Sequence, residues 1–361
     1  MVLFLTVLWL LSLLIVMGYH LAVFRIHEQI AADNRSEDLP GVSIVIAVKN
    51  GSDQLIKNLK TILHQHYPLF EIVIVDDYSD LNEKNKLEAF AKQDPLMSFF
   101  GNTLLPGKKQ ALEVGIEKAR YAFILCTDAD CHPSTTDWIK SMVTHADGHE
   151  MVLGYSPYIF EKGWLNQFVR FETVMTGIQY LSWAMAGKPY MGVGRNILYP
   201  KKLFLQADPY KGQHKIPYGD DDLWVQQATS LTKVNVNIDA ASFVYSDPPH
   251  SWRAWFKQKH RHLSAGHHYK NQVWWQPGLF GLALVVHSLF FPILLYLSFT
   301  NWIGLLFFAC LLIRWMVYAK WTTQLGDRDT VKGYPLLEVV YALYLAGMGL
   351  FTLIVKKKSW N

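Results

Sequence analysis

Long unbroken apolar runs sit at the two ends of this chain, and short ones fill its middle. Val2–Phe24 carries no charged residue and is long enough to cross a bilayer. No basic stretch precedes it and no small-residue cleavage signal follows, so it reads as a retained anchor. Three more runs follow near the other end: Gly278–Phe299, Trp302–Trp321 and Tyr334–Val355. Trp and Tyr stand near several of their ends, as interfacial anchors do. The alternative is buried helices of a soluble core, but runs of ~20 apolar residues exceed what such helices need.

Between these ends the pattern changes period. Val42–Val48, Phe70–Val75 and Ala122–Cys126 are short, continuous and apolar, as strands buried on both faces are. Helical patterns separate them at Asp53–His66, Glu83–Lys92 and Lys108–Ala119. Alternating strand and helix predicts a doubly wound α/β sheet, in which ligands bind beyond the C-terminal ends of the strands. The chain thus divides into an anchor at 1–24, a water-facing α/β domain at 25–250, a basic amphipathic segment at 251–277 and a membrane region at 278–361.

Composition and charge sharpen this picture. The chain is 51% hydrophobic over 361 residues, high for a soluble protein. Its net charge of +4 comes from dispersed basic residues, which gives no footprint for nucleic acid. Cys126, Cys131 and Cys310 show no paired spacing, which suits a reducing compartment. Arg25 after the first run, and Lys320, Arg328 and Lys332 between the last two, place the large domain in the cytoplasm of a multi-pass membrane protein. Four crossings would then leave Lys356, Lys357 and Lys358 outside. Either the charge rule is overridden there or one run does not span, and Trp302–Trp321, with Arg314 inside it, is the first suspect.

Acidic residues mark the strand ends. Asp76 and Asp77 follow EIVIV, and Asp128 and Asp130 follow FILCT. One such pair can be an ordinary loop or cap; two pairs on neighbouring strands of one sheet point to function. Asp128 and Asp130 are two apart, so in an extended segment their carboxylates face one side and can hold Mg²⁺ or Mn²⁺. Lys108 opens a helix, either as a solvated lysine or as a phosphate contact. In Tyr218-Gly219-Asp220-Asp221-Asp222-Leu223, crowded carboxylates offer a helix cap, a general base, or both. Ser251–Tyr269 pairs an aromatic face with a basic one and suits a bilayer surface, and Gln258 and Arg261 share a face there. His260, His262, His267 and His268 read as surface histidines before they read as metal ligands. Trp164, Phe168, Phe171, Met175 and Ile178 form a helical stripe, either core or a membrane-dipping guide for a lipid.

In this order and spacing the motifs resemble the inverting family 2 glycosyltransferases, whose membrane members include ceramide glucosyltransferases and the hyaluronan, chitin and cellulose synthases. The resemblance runs from about Val42 to Gly266 and includes the flanking spans. It implies a GT-A fold, Rossmann-like, flanked by transmembrane helices. It also implies a nucleotide-sugar donor (a UDP-sugar), a lipid or lipid-linked acceptor, and a Mg²⁺ or Mn²⁺ cofactor. By the same resemblance Val48 and Asn50 belong to the nucleotide loop, Asp76 and Asp77 contact base and ribose, and Lys108 and Asp128 lie near the diphosphate. Asp130, with Asp128, holds the metal. Gly192-Val193-Gly194-Arg195-Asn196 looks like a strand lining the sugar cleft. The base comes from Asp220, Asp221 or Asp222, with Asp221 slightly favoured, and Gln258 and Arg261 match a Q-x-x-R motif that meets the diphosphate. Two departures stand out: Gly51 replaces a common glutamate, and His262 replaces a tryptophan. They leave open a degenerate membrane scaffold. Three C-terminal runs look few for a polymer channel, so single transfer is preferred to processive synthesis. A receiver-type phosphoacceptor at Asp128 would leave GDDDL and the spans without a role.

Overall fold

The computed structural model describes residues 1–26, 39–146, 150–208, 219, 221–269, 273, 275–298 and 301–354. Asp220 and the Lys356–Lys358 cluster lie outside them. In chain order the elements are α1 (Val2–Gly18), β1 (Val42–Val48), α2 (Ser52–Leu63), β2 (Phe70–Asp76), α3 (Leu81–Ala91), β3 (Met97–Gly101), α4 (Lys108–Lys118) and β4 (Phe123–Cys126). Then come β5 (Cys131–Pro133), α5 (Trp138–Thr144), β6 (Met151–Gly154), α6 (Trp164–Met185), β7 (Ile197–Pro200), α7 (Lys201–Ala207), α8 (Asp222–Ala228), β8 (Val234–Asn237) and β9 (Val244–Ser246). Last are α9 (Trp252–Ser264), α10 (Trp275–Ser298), α11 (Asn301–Leu325) and α12 (Tyr334–Ile354). They fall into two compact units, one of Met1–His27, Phe160–Ala186 and Pro249–Lys357, the other of Glu28–Ile159, Gly187–Pro248 and Lys358–Asn361.

The second unit is built on a seven-stranded sheet of order β3-β2-β1-β4-β7-β6-β8. β1 lies between β2 and β4, parallel to both, with Val48 opposite Asp76 and Val45 opposite Cys126. The C-terminal ends of β2 and β4 therefore share one edge of the sheet. Every β1 side chain but Ala47 is buried, as its unbroken apolar run requires of a strand covered on both faces. The three strands read from the apolar runs are parallel, and the sheet as a whole is mixed. β7 runs antiparallel to both β4 and β6. It returns from the long excursion that carries α6, without the crossover that would force a parallel alignment. α4 packs on β1 and β2 at Gly115. A Cβ there would lie 2.6 Å from Val45 Cγ1 and 2.9 Å from Val75 Cγ2, so the small residue sets how closely this helix approaches the sheet.

The first unit is helical. Four helical segments, Val2–Val23, Trp275–Ser298, Asn301–Leu325 and Arg328–Phe351, are long and apolar enough to cross a membrane. This is a membrane protein in its composition and helix lengths. Arg314, the reason for doubting the third span, does not disqualify it. Its Nε and Nη2 donate to the Glu338 carboxylate of α12 at 2.8 and 2.9 Å, and Tyr334 Oη donates to Glu338 at 2.6 Å. Both charged side chains are buried. A paired charge is tolerated among apolar helices where a lone one is not. The stripe on α6 is core: Phe168, Phe171, Met175 and Ile178 are buried, and only Trp164 is exposed. Arg170, on the same helix, grips Asp327 and Asp329 with both edges of its guanidinium. α9 turns Trp255 and Lys259 inward, where Lys259 pairs with Glu172 of α6, and leaves Trp252, Arg253, Phe256 and Lys257 outside.

Candidate active site

The loop after β1 is tied to the loop after β2. Val48 O accepts from Asp77 N at 2.7 Å. Asn50, with φ 52°, accepts from Asp80 N through its side chain at 2.9 Å, and its own N–H donates to Ser79 Oγ at 2.8 Å. Gly51 adopts φ 95°, in the left-handed region that favours glycine. Its N–H and that of Ser52 both donate to Glu83 Oε2, at 3.0 and 2.7 Å. A carboxylate from α3 thus caps α2 beside the position where a loop glutamate is missing.

Asp76 and Asp77 are both buried at the end of β2. Asp77 Oδ1 accepts from Asn102 Nδ2 at 2.7 Å and from Gly107 N at 2.9 Å, which fixes the start of α4. Asp77 Oδ2 is buried with no hydrogen-bond partner among the described residues. The next residue, Lys108, places Nζ 2.8 Å from Asp128 Oδ1 just past β4. Asp130 is open to solvent on one side and closely surrounded by protein on the others. That burial, and then repulsion from Asp128, raise its pKa above the ordinary carboxylate value, against the pull of Arg195, the Cys131 thiol and Lys108. Ligand atoms of Asp128, Asp130 and Cys131 lie within 4.8 Å of one another. Cys131 is fully buried and donates to Asp130 Oδ1 at 3.3 Å. Burial and the Asp130 charge push its pKa up, so it stands as a neutral thiol.

Arg195 completes this group. Residues 192–196 form a turn leading into β7, where a strand is expected. The turn closes with Asn196 N donating to Val193 O at 2.9 Å. A Cβ at Gly192 would lie 3.0 Å from the Ile197 and Leu153 side chains, so the chain passes close to both. Arg195 Nη2 donates to Ser156 O at 2.9 Å and its guanidinium lies 4.9 Å from the Tyr158 ring centroid. Burial alone would lower its pKa, but the surrounding groups, the Asp130 and Asp128 carboxylates among them, raise it instead. Gly194 N donates to Asp221 Oδ2 at 2.8 Å, and Asp221 Oδ1 accepts from Asp222 N at 3.0 Å at the start of α8. Asp221 therefore caps α8 and braces the arginine turn. Asp222 is buried in the first turn of that helix. A continuous path of contacts and close charges thus runs from Asp77 through Lys108, Asp128, Asp130 and Arg195 to Asp221. Gln258 and Arg261 belong to the other unit, on α9. No histidine joins a candidate metal group among the described residues.

Sequence reasoning passed over Asn102 and Tyr158, read Cys131 only as an unpaired cysteine, and read Asn196 only as part of a cleft-lining strand. Asn196 is fully buried; its Nδ2 donates to Tyr155 O and Ser242 O at 2.9 and 2.8 Å, and its Oδ1 accepts from Trp138 Nε1 at 3.0 Å. An asparagine beside an arginine gives no local signal of this, since its three partners are distant in sequence. Asn196→Ala leaves two carbonyls and an indole N–H unsatisfied. It is expected to cost ~2–4 kcal/mol in chemical denaturation of the detergent-solubilised protein.

The family model for glycosyl transferase family 2 matches residues 43–206. A poly-beta-1,6-N-acetyl-D-glucosamine synthase of Staphylococcus epidermidis is 29% identical over 104 residues, covering 29% of this chain and 25% of that protein. A Haemophilus influenzae protein described as an uncharacterized glycosyltransferase is 22% identical over 194 residues, covering 51% of this chain and 57% of that one. The matched stretch thus spans a quarter to little more than half the length of these curated relatives. Among solved structures, the mannosyltransferase PcManGT from Pyrobaculum calidifontis, in complex with GDP-Man and Mn2+, matches with TM-score 0.55 at 15% identity. That match covers 94% of this chain and 99% of that one, a likeness of fold. The chain has a GT-A fold with apolar helices able to cross a membrane, and its residues 43–206 match the model of glycosyl transferase family 2.

Proposed function

We propose that this protein transfers a single sugar from a nucleotide-diphosphate sugar to a lipid or lipid-linked acceptor, with inversion and with the help of a divalent metal ion. The observation that carries the reading is the set of hydrogen bonds, one ion pair and charge interactions that join three acidic motifs with Lys108 and Arg195 at one edge of the sheet. The spans belong to the same chain, which favours an acceptor at the bilayer, and the cationic flanks favour a cytoplasmic catalytic domain. The likeness to poly-beta-1,6-N-acetyl-D-glucosamine synthases favours a second reading, processive synthesis.

The donor set suits a hard cation. Asp128 and Asp130 offer carboxylate oxygens close together, and the neutral Cys131 thiol does not compete for it. These two aspartates would hold Mg²⁺ or Mn²⁺, which when bound supplies charge neutralisation at the diphosphate leaving group. Lys108 and Arg195 add fixed positive charge to the same place. Asp76 and Asp77, with Val48 and Asn50, form the base and ribose end, where Asp77 Oδ2 is an acceptor without a partner among the described residues. Gln258 and Arg261 keep the role that the motif alone gives them. In the reaction, a carboxylate of the 220–222 cluster takes the proton of the acceptor hydroxyl. The acceptor oxygen attacks the anomeric carbon as its bond to the diphosphate breaks, and the nucleoside diphosphate leaves.

Both Asp221 carboxylate oxygens already accept backbone N–H groups, one in the arginine turn and one at the start of α8. We therefore expect Asp220→Asn to lower kcat by ~10²–10⁴-fold with donor KM retained. Asp221→Asn should lower thermal stability and raise donor KM through the loosened arginine turn. If instead Asp221→Asn abolishes kcat while fold and donor affinity stay intact, Asp221 is the base.

The activity itself is tested with the purified full chain in detergent. Nucleoside diphosphate release is measured against a panel of UDP- and GDP-sugars with Mn²⁺ or Mg²⁺. Turnover with one donor, abolished by chelation, is expected; no turnover and no donor binding would leave a membrane scaffold.

A further inference from the structure

A cation already stands against the paired aspartates. Lys108 Nζ lies 2.8 Å from Asp128 Oδ1. The ammonium thus offsets the Asp128 carboxylate before any substrate arrives. The Lys108–Asp128 pair is not a loose surface contact. Its side chains retain 22% and 33% of their exposure, so solvent screens their attraction only in part. The lysine is also placed by the fold: it is the first residue of α4, whose preceding Gly107 N–H is held by buried Asp77.

This geometry has a consequence for the order of binding. Lys108 competes with a divalent ion for Asp128, and admitting the ion alone would leave a displaced ammonium beside a dication. A nucleoside diphosphate arriving alone would face Asp130 with no added cation to offset it. When both arrive, the diphosphate offsets the ion, and the Lys108 ammonium released from Asp128 has a phosphate to pair with. We propose that Lys108 is a counter-ion latch, which by occupying Asp128 in the substrate-free protein makes metal and nucleoside diphosphate binding mutually dependent. The inference rests on the metal-assisted reading above, and linkage makes the dependence reciprocal.

The test is Mn²⁺ binding to the purified full chain, followed by the electron paramagnetic resonance signal of free Mn²⁺, with and without UDP or GDP. The wild-type protein should bind Mn²⁺ weakly alone and about tenfold or more tightly with the matching nucleotide. Lys108→Gln should bind Mn²⁺ more tightly than wild type without nucleotide, and gain less when nucleotide is added. Lys108→Arg, which restores the cation, should return toward the wild-type pattern. Unchanged or weaker Mn²⁺ binding by Lys108→Gln in the absence of nucleotide overturns the latch. Asp130→Asn separates the two levels of argument: if it binds Mn²⁺ and nucleotide as the wild type does, the metal site itself is misassigned, whatever Lys108 does.

Discussion

Asp130→Asn should abolish sugar transfer, lowering kcat/KM by at least ~10²–10³-fold, while the protein keeps its fold. The substitution preserves shape and removes one charge. Asp130 is solvent-facing and its one described hydrogen bond is with the Cys131 thiol, so little packing depends on it. Asp128→Asn should be less clean, because it also dissolves the pair with Lys108. Cys131→Ser, which leaves both carboxylates in place, should retain most activity. The raised pKa of Asp130 adds a pH signature. A raised pKa means the neutral acid persists to higher pH than for an ordinary aspartate, and an ion needs the anion. Mn²⁺ affinity should therefore fall as pH drops, at a higher pH than a solvated aspartate would give. Full activity in Asp130→Asn would remove the basis of the proposed reaction.

The second large effect lies far from any substrate. Replacing Arg314 or Glu338 singly by alanine should destabilise the helical unit by ~3–5 kcal/mol, because each leaves an uncompensated charge among apolar helices. The pair is bidentate and buried, Tyr334 Oη also donates to Glu338, and His287 Nε2 lies 3.4 Å from Arg314 Nη1. Arg314→Leu combined with Glu338→Leu should recover much of the loss, since no charge is then left alone. Thermal denaturation of the detergent-solubilised variants measures both. Single variants that unfold at the wild-type temperature would show that the pair contributes nothing to holding α11 against α12.

The legible part of this protein was whatever depends on local pattern. β1 begins and ends where the apolar run Val42–Val48 does, because a strand covered on both faces must be apolar throughout. The helices α2, α3 and α4 match their patterns to within a few residues, and their ends drift because terminal turns depend on caps. The Glu83 cap on α2, supplied from α3, is such a case. Acidic residues just past β2 and β4 were readable for the same reason: strand ends in such a sheet face the ligand edge.

Tertiary structure decided everything that depends on what a side chain meets across the sequence. The reversal of β7, the bond from Arg195 to Ser156, and the capture of Asp221 by Gly194 join segments some 25 or more residues apart, beyond the reach of any periodicity. The pairing of Arg314 with Glu338 is of this kind too: one arginine within an apolar run looks like a defect until a second helix supplies its counter-ion. The physical reason is the same in each case. Hydrophobic period and turn chemistry are short-ranged and written residue by residue, whereas the energy of a buried charge or an unsatisfied carbonyl is set by whichever distant group the fold brings beside it.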